Sequence, residues 1–247
     1  MRARPLAKWD RSKGRPEPIR LLNLIKEVEN GNPLVNLEIA CPSVRILRPA
    51  VIPYLRSKVA AMLETAAQSL PEGYVLGTID AWRPFDRQQR IYDFVFGCAK
   101  EVFPERNDIA LRRTVCRWVA PTDQKAPPGH CTGAAVDVWL VTPDGKDIDV
   151  ASPYGRFGAS ATYSYGLSEE AIKNRMILVE AMLGAGFSNC RDEWWHYSWG
   201  DAGWAVRMGE QECCYGLVDL PIELYAEQER LWLEAMEKRE NPFLSRD

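Results

Sequence analysis

The chain contains only two histidines, His130 and His196, and each lies close to a carboxylate in the sequence. His130 precedes Asp137 by seven residues, and Glu193 precedes His196 by three. Two imidazoles and one carboxylate are a common ligand set for catalytic zinc, which keeps a fourth position open for water. A second carboxylate, not bound to the metal, can take a proton from that water and pass it to a leaving amine. The four residues are therefore candidates for a hydrolytic metal site, with one acid as ligand and the other as base.

The segment between His130 and Asp137 must bend if both side chains are to reach one metal ion. Residues seven apart on an unbroken strand point to opposite faces, and Gly133, Ala134 and Ala135 are small residues at which the backbone can turn. Asp137 lies among apolar residues of a predicted strand, where a buried carboxylate needs a partner such as a metal ion. For either histidine taken alone, a structural hydrogen bond is the alternative.

Aromatic residues surround His196 in the sequence, namely Trp194, Trp195, Tyr197 and Trp199. They could form a wall that keeps water out of the site, and exclusion of water strengthens electrostatic interactions. Ordinary packing in the core is the alternative for each of them.

The composition limits the class of protein. The 247 residues are 46% hydrophobic and 26% charged with a net charge of -3, as in an ordinary globular protein. The basic excess of a general nucleic-acid binder is missing, and no apolar run is long enough to predict a membrane span. Seven cysteines without a CxxC pair indicate reduced thiols. The basic N-terminus has no apolar stretch behind it, so we expect a cytoplasmic protein without nucleic-acid or membrane partners.

The elements that must position the candidate residues are a mixture of helices and strands. Hydrophobic periodicity predicts helices that begin at Pro53, Pro84 and Ser168 and a last one over 223–240. Strands are predicted over 74–79, 134–141 and 193–199, and loops over 120–132 and 151–167. The mixture predicts an α+β fold, a small and mainly antiparallel sheet with flanking helices. We expect a loose basic N-terminal arm over 1–20, a catalytic domain over 21–220 and a C-terminal helical extension over 221–247.

Three short motifs resemble the signatures of one peptidase family. The string PGHCTGAAVD is similar to the pattern S-x-H-x-x-G-x-A-x-D, with matches at His130, Gly133, Ala135 and Asp137. The pattern E-W-W-H is matched in full at 193–196, and D-A-x-R-P at 80–84. In these motifs the chain resembles the zinc D-alanyl-D-alanine dipeptidases, which share a small α+β metallopeptidase fold with D,D-carboxypeptidases. The resemblance covers about residues 34–217.

This resemblance implies a role for each candidate. It implies His130, Asp137 and His196 as ligands of one zinc ion per chain, with Glu193 as general base and later proton donor. It also implies Arg83 as the cation beside the scissile carbonyl, where a fixed guanidinium would stabilise the oxyanion of the tetrahedral intermediate. The alternative for Arg83 is a surface arginine paired with a neighbouring aspartate, Asp80 or Asp86.

The chain departs from the family pattern next to the first histidine. Pro128 stands where the family has a serine, which removes a hydroxyl that could bind substrate and leaves substrate-binding residues unassigned. Cys131 directly follows His130 and could be a soft zinc ligand, a site of oxidation or an inert buried thiol.

The function that the resemblance implies is hydrolysis of small D-Ala-D-Ala-type dipeptides to free D-amino acids. One alternative is a D,D-carboxypeptidase or muropeptide peptidase on the same fold, which would need a more open groove. A non-catalytic zinc-binding module is a further alternative, but it would not need Glu193 or Arg83. The C-terminal helix could cover an apolar face or mediate oligomerisation.

Overall fold

The computed structural model describes residues 3–244. Its helices are α1 (Ile19–Leu22), α2 (Leu37–Ala40), α3 (Ser57–Gln68), α4 (Phe85–Val102), α5 (Asp108–Val115), α6 (Gly155–Gly158), α7 (Glu169–Gly184), α8 (Ala202–Met208) and α9 (Ala226–Glu237). Its strands are β1 (Lys26–Glu27), β2 (Leu34–Asn36), β3 (Arg45–Ile46), β4 (Tyr54–Arg56), β5 (Val75–Asp80), β6 (Ala135–Val141), β7 (Ser188–Asn189), β8 (His196–Ser198) and β9 (Glu212–Cys213). Short 3₁₀ turns occupy Gly129–Thr132 and Ile222–Leu224.

The main sheet has five strands in the order β3-β5-β6-β8-β7. Only β3 and β5 run parallel, and the other neighbouring strands are antiparallel. The central strand β6 is apolar and almost completely buried, because protein covers both of its faces. The predicted α+β fold with a small, mainly antiparallel sheet is confirmed.

Helices α3 and α7 pack against each other and against the sheet. Their apolar faces contribute Val59, Leu63, Leu178 and Met182 to the main core, where they lie with Val138 of β6. The predicted start of α7 is confirmed, because the side chain at the helix N-cap accepts a hydrogen bond from a first-turn backbone N–H at 3.1 Å. This side of the molecule holds the sheet rigid behind the cleft.

A second apolar cluster joins the C-terminal helix to α4 and α5. Trp232 of α9 and Phe243 are buried together with Val95 and Leu111, and Arg87 of α4 forms an ion pair with a glutamate of α9 at 2.8 Å. The helix is shorter than the predicted 223–240. It covers an apolar face of its own chain, which is one of the two roles expected for it.

Part of the N-terminal segment, which was expected to be a loose arm, is packed against the rest of the chain. Ala7 is buried, and its N–H donates to the carbonyl oxygen of Gly158 at 2.8 Å. The N–H of Arg4 donates to the carbonyl oxygen of Phe243 at 2.7 Å. These contacts are between backbone groups of distant segments, which side-chain patterns do not encode. The three-part division of the chain at 20 and 220 stays a prediction.

The stretch over 151–167 is only partly the surface loop that we expected. Arg175 of α7 is buried beneath it and donates to the carbonyl oxygens of Val150, Ala159 and Ala161 at 2.8 to 3.1 Å. A single guanidinium therefore satisfies backbone acceptors that burial would otherwise leave without partners.

Candidate active site

Asp137 lies at the centre of the site because its strand is the middle strand of the sheet. In the strand pairing, Asp137 is opposite Asp80 on β5 and opposite His196 on β8. An irregularity in β5 between Thr78 and Asp80 adjusts the register at this point. Residues that lie far apart in the sequence are thus brought together by the pairing of three adjacent strands.

His130 reaches Asp137 from the 3₁₀ turn that precedes β6. Gly133 ends this turn with a φ of 69°, a left-handed conformation that favours glycine, so the predicted bend is present. The His130 Nδ1 atom lies 2.8 Å from the carbonyl oxygen of Ala81. A carbonyl only accepts, so Nδ1 carries a proton and Nε2 is the ring atom left to bind a metal. That Nε2 atom lies 3.2 Å from Asp137 Oδ1.

The three predicted metal ligands converge on one point. His196 Nδ1 lies 2.9 Å from Asp137 Oδ1, and the ligand atoms of His130, Asp137 and His196 all lie within 4.8 Å of one another. Burial alone would raise the pKa of Asp137, but the two histidines outweigh burial and hold this pKa well below its usual range. An ionised carboxylate beside two imidazole nitrogens is a donor set that fits zinc.

Glu193 lies in the turn before β8, beside the metal ligands but outside their group. Its carbonyl oxygen accepts a hydrogen bond from the N–H of His196 at 3.1 Å, so the turn fixes the distance between the two residues. Burial, and then the negative charge of Asp137, raise the pKa of Glu193 well above its usual value. The site thus contains one acid that favours the ionised form and one that takes up a proton readily, as a proton-transfer group must.

Arg83 is buried in the cleft and paired with Asp80, so the alternative of a surface arginine is wrong in part. Its guanidinium donates to the carboxylate of Asp80 and to the side-chain oxygen of Gln88. Its backbone N–H donates to the carbonyl oxygen of His130 at 3.2 Å, so the backbone of Arg83 is held next to a predicted metal ligand. The Nε atom is buried without a hydrogen-bond partner.

Arg156 lines the cleft and was missed by the sequence analysis. Its Nη2 atom lies 3.6 Å from Asp137 Oδ2, and its guanidinium lies 4.2 Å from the centre of the Trp195 ring. Its Nε atom is also buried without a partner. The residue belongs to α6, a single helical turn within the 151–167 stretch, where no hydrophobic period or motif marks it.

The expected aromatic wall is divided between the cleft and the core. Trp195 lines the cleft, whereas Trp194 and Tyr197 are fully buried in the main core and Trp199 packs against Tyr215. The cavity has a volume of about 560 Å³, and segments on either side of the sheet contribute to its lining.

The two residues at which the chain departs from the family pattern have clear positions. Pro128 lines the cleft together with His130. Cys131 is buried, and burial raises the pKa of its thiol to about 12. It does not join the metal group, so its position is that of an inert thiol.

None of the described helices is both long enough and apolar enough to pass through a membrane.

In this α+β fold the sheet holds Asp137 between two histidines, with a second acid beside them, an arrangement typical of metal-dependent hydrolases. Residues 51–214 match the family model described as D-ala-D-ala dipeptidase, and the chain belongs to this peptidase family. The chain is 29% identical over 184 residues to a D-alanyl-D-alanine dipeptidase of Synechocystis sp., which is 64% of this chain and 74% of that protein. It is 28% identical over 87 residues to a D-alanyl-D-alanine dipeptidase of Escherichia coli, which is 35% of this chain and 45% of that protein.

Solved structures show a more distant likeness. A mutant of the vancomycin-resistance D,D-pentapeptidase VanY in complex with Zn(II) gives a TM-score of 0.41 at 16% identity, with 77% of this chain and 95% of that chain covered. VanYB in complex with D-alanine-D-alanine gives a TM-score of 0.39 at 16% identity, with 76% and 93% covered. At these TM-scores the likeness adds nothing to the assignment.

Proposed function

We propose that this protein hydrolyses D-Ala-D-Ala-type dipeptides to free D-amino acids and that His130, Asp137 and His196 hold its zinc ion. Membership of the D-Ala-D-Ala dipeptidase family supports the substrate class. The observation that carries the proposal is geometric: the ligand atoms of His130, Asp137 and His196 lie within 4.8 Å of one another, and Glu193 lines the same cleft.

Each residue has a role in the mechanism that follows from its place in the cleft. A zinc ion bound here supplies Lewis acidity, which polarises the peptide carbonyl and makes water acidic enough to lose a proton at neutral pH. Glu193 takes that proton and returns it to the departing amine. Arg83 lines the cleft, and its guanidinium, held in place by Asp80, stabilises the oxyanion of the tetrahedral intermediate.

A D,D-carboxypeptidase is the second candidate, and the size of the cavity favours it. A volume of about 560 Å³ lies within the range of pockets for ligands larger than a dialanine. The sheet-centred site is the same in both candidates, so only the length of the substrate distinguishes them.

Two finer points also belong to the proposal. We expect the protein to work in the cytoplasm, which its seven free cysteines support because disulfides are rare there. Self-association through the C-terminal helix stays a prediction, and the burial of Trp232 within the chain leaves less of that helix for a partner.

The experiment is to measure release of D-Ala from D-Ala-D-Ala, from L-Ala-L-Ala and from a pentapeptide that ends in D-Ala-D-Ala. Each substrate is tested with and without a chelator, and zinc is then added back. Cleavage of the D,D-dipeptide alone, lost with the chelator and restored by zinc, is the expected result. Preferential cleavage of the pentapeptide would make the enzyme a carboxypeptidase, and no cleavage of any substrate by the zinc-loaded protein would overturn the proposal.

A further inference from the structure

Among the eight arginines of the described chain that line the cleft are Arg48 from the loop after β3, Arg156 from α6 and Arg239 from the residues after α9. Arg48 and Arg239 are exposed, whereas Arg156 lies deeper, against Asp137 and the Trp195 ring. None of the three belongs to the mechanism proposed above.

The acids of the cleft do not neutralise these arginines. Asp137 faces the two histidines and Glu193 is the proposed base, so neither is free to pair fully with an arginine. The remaining lining acids are engaged elsewhere, in the pairs Asp80–Arg83, Glu17–Arg207, Asp192–Arg191 and Asp201–Ser198.

The three guanidiniums therefore keep donors to offer. Within residues 3–244, Arg48 and Arg239 form no ion pair, and Arg239 donates only to the sulfur of Met236 at 3.4 Å. The contact of Arg156 with Asp137 is long, at 3.6 Å, and its buried Nε has no acceptor. The charge of a guanidinium whose nearest carboxylate is this far away is only partly neutralised, so an anion in the cleft would be bound favourably.

The charges of these arginines also act on one another. Arg48 and Arg239 lie close enough to Arg156 for their positive charges to act on it. An anion between the three side chains would relieve the repulsion between like charges.

We propose that Arg48, Arg156 and Arg239 form a subsite for a carboxylate that the substrate carries in addition to its α-carboxylate. This inference rests on the proposed function and makes the enzyme selective for acidic D,D-dipeptides. The α-carboxylate of the substrate can bind only one guanidinium in the bidentate geometry. The donors of the other arginines then remain for a second carboxylate. The cavity of about 560 Å³ has room for a side chain longer than that of alanine.

The test compares substrates that differ in charge and not in shape. The zinc-loaded enzyme is assayed with D-Ala-D-Glu against D-Ala-D-Gln and with D-Glu-D-Ala against D-Gln-D-Ala, and the two pairs show on which side of the peptide bond the subsite lies. In one of the two pairs we expect kcat/KM to be at least about tenfold higher for the acidic dipeptide than for its amide, because the acid gains one charge-assisted hydrogen bond. The preference should decrease as salt is added, because Arg48 and Arg239 are exposed.

In the variant R48Q/R239Q, the ratio of kcat/KM for the acidic dipeptide to kcat/KM for its amide should be close to one. The matched control is R20Q/R113Q, which removes the same charge from two exposed arginines outside the cleft and should keep the ratio. A ratio near one in the unaltered enzyme, or a ratio that survives in R48Q/R239Q, would overturn the subsite.

Binding separates failure of the subsite from failure of the proposed function. The affinities of D-Ala-D-Glu and D-Ala-D-Gln, and of the reversed pair, are measured by calorimetry with zinc-loaded Glu193→Gln protein. If no dipeptide is hydrolysed by the unaltered enzyme but an acid binds at least about tenfold more tightly than its amide, the proposed function fails and the subsite stands. Equal affinities within both pairs would overturn the subsite whatever the activity.

Discussion

Two carboxyl groups in the cleft have pKa values displaced in opposite directions, and this difference supports the roles proposed for them. The histidines hold the pKa of Asp137 down, whereas burial and the charge of Asp137 raise that of Glu193. A metal ligand must stay ionised, whereas a proton shuttle must both take and release a proton near the working pH.

Glu193→Gln should remove most of the turnover and leave the zinc in place. Glutamine keeps the shape of the side chain but cannot take a proton from water, and general-base catalysis contributes about 10²- to 10⁴-fold. The measurements are kcat for D-Ala-D-Ala and zinc content per chain. A variant with near-normal kcat would exclude Glu193 as the base.

The raised pKa of Glu193 predicts where activity falls at low pH. The base works only when ionised, so kcat/KM should rise with pH through the pKa of Glu193. The acid limb should then lie above the ordinary glutamate pKa of about 4.3. A bound cation opposes both causes of the raised pKa, so the prediction requires burial, the larger cause, to outweigh it. Zinc content is measured at every pH as a control, and a limb at or below 4.3 with zinc retained would contradict this prediction.

Arg83→Ala should lower kcat by about 10²- to 10³-fold, because a donor to the oxyanion acts mainly in the transition state. Arg83→Lys should not restore it, because lysine cannot hold Asp80 and offer a second donor at once. Circular dichroism and zinc content serve as controls for folding. An unchanged kcat in Arg83→Ala would show that the arginine is only structural.

At the scale of elements, the short turn between the first histidine and β6 sets the geometry of the metal site. Gly133 has a left-handed φ of 69°, and a Cβ placed there would lie 2.4 Å from Leu34 Cδ2. Both features oppose any side chain at this position, so the turn, Leu34 of β2 and the start of β6 are fixed together.

Gly133→Ala should destabilise the protein by roughly 1–3 kcal/mol and weaken zinc binding, since the strained turn displaces His130 relative to Asp137. Gly145→Ala is the matched control: its φ is 87°, but the nearest atom to a Cβ there is an Arg45 nitrogen at 3.5 Å, far from the metal set in the fold. Thermal unfolding and zinc titration measure the two effects. Equal zinc affinity in both variants would show that the turn does not position His130.

The elements that could be predicted from the sequence are those with a local signal. The start of α4 after Pro84, the N-cap Ser168 and the strand over 134–141 follow from neighbouring residues and were confirmed. The helix expected from Pro53 begins at Ser57 instead, because Tyr54–Arg56 pairs with β2 through backbone hydrogen bonds that side chains do not encode.

The residues of the site also divide into those with a local sequence signal and those placed only by tertiary packing. His130, Asp137 and His196 could be predicted because histidine is rare here and the motifs are compact, and the structure brings the three together. Arg156 and Arg239 could not be predicted, since arginine is common on protein surfaces and only tertiary packing directs these two into the cleft.

For the whole molecule, metal binding should appear as thermal stability. Zinc that binds only the folded chain stabilises it by about 2.7 kcal/mol at a hundredfold excess over Kd, which corresponds to roughly 5–10 °C in Tm for a chain of this size. Calorimetric scans with zinc and with a chelator measure the shift. His196→Ala should abolish it, and a shift of the same size in that variant would place the stabilising zinc elsewhere.

The pairing of Arg4 with Phe243 has a consequence for how the molecule is made. Translation delivers Phe243 only after α9, so the contact with Arg4 cannot form before α9 has been made. Until then the cluster of α4 and α5 lacks Trp232 and Phe243, and the part of the cleft wall that α9 contributes does not exist. Completion of the cleft therefore follows the synthesis of α9, and a nascent chain arrested before α9 would present an apolar surface to chaperones.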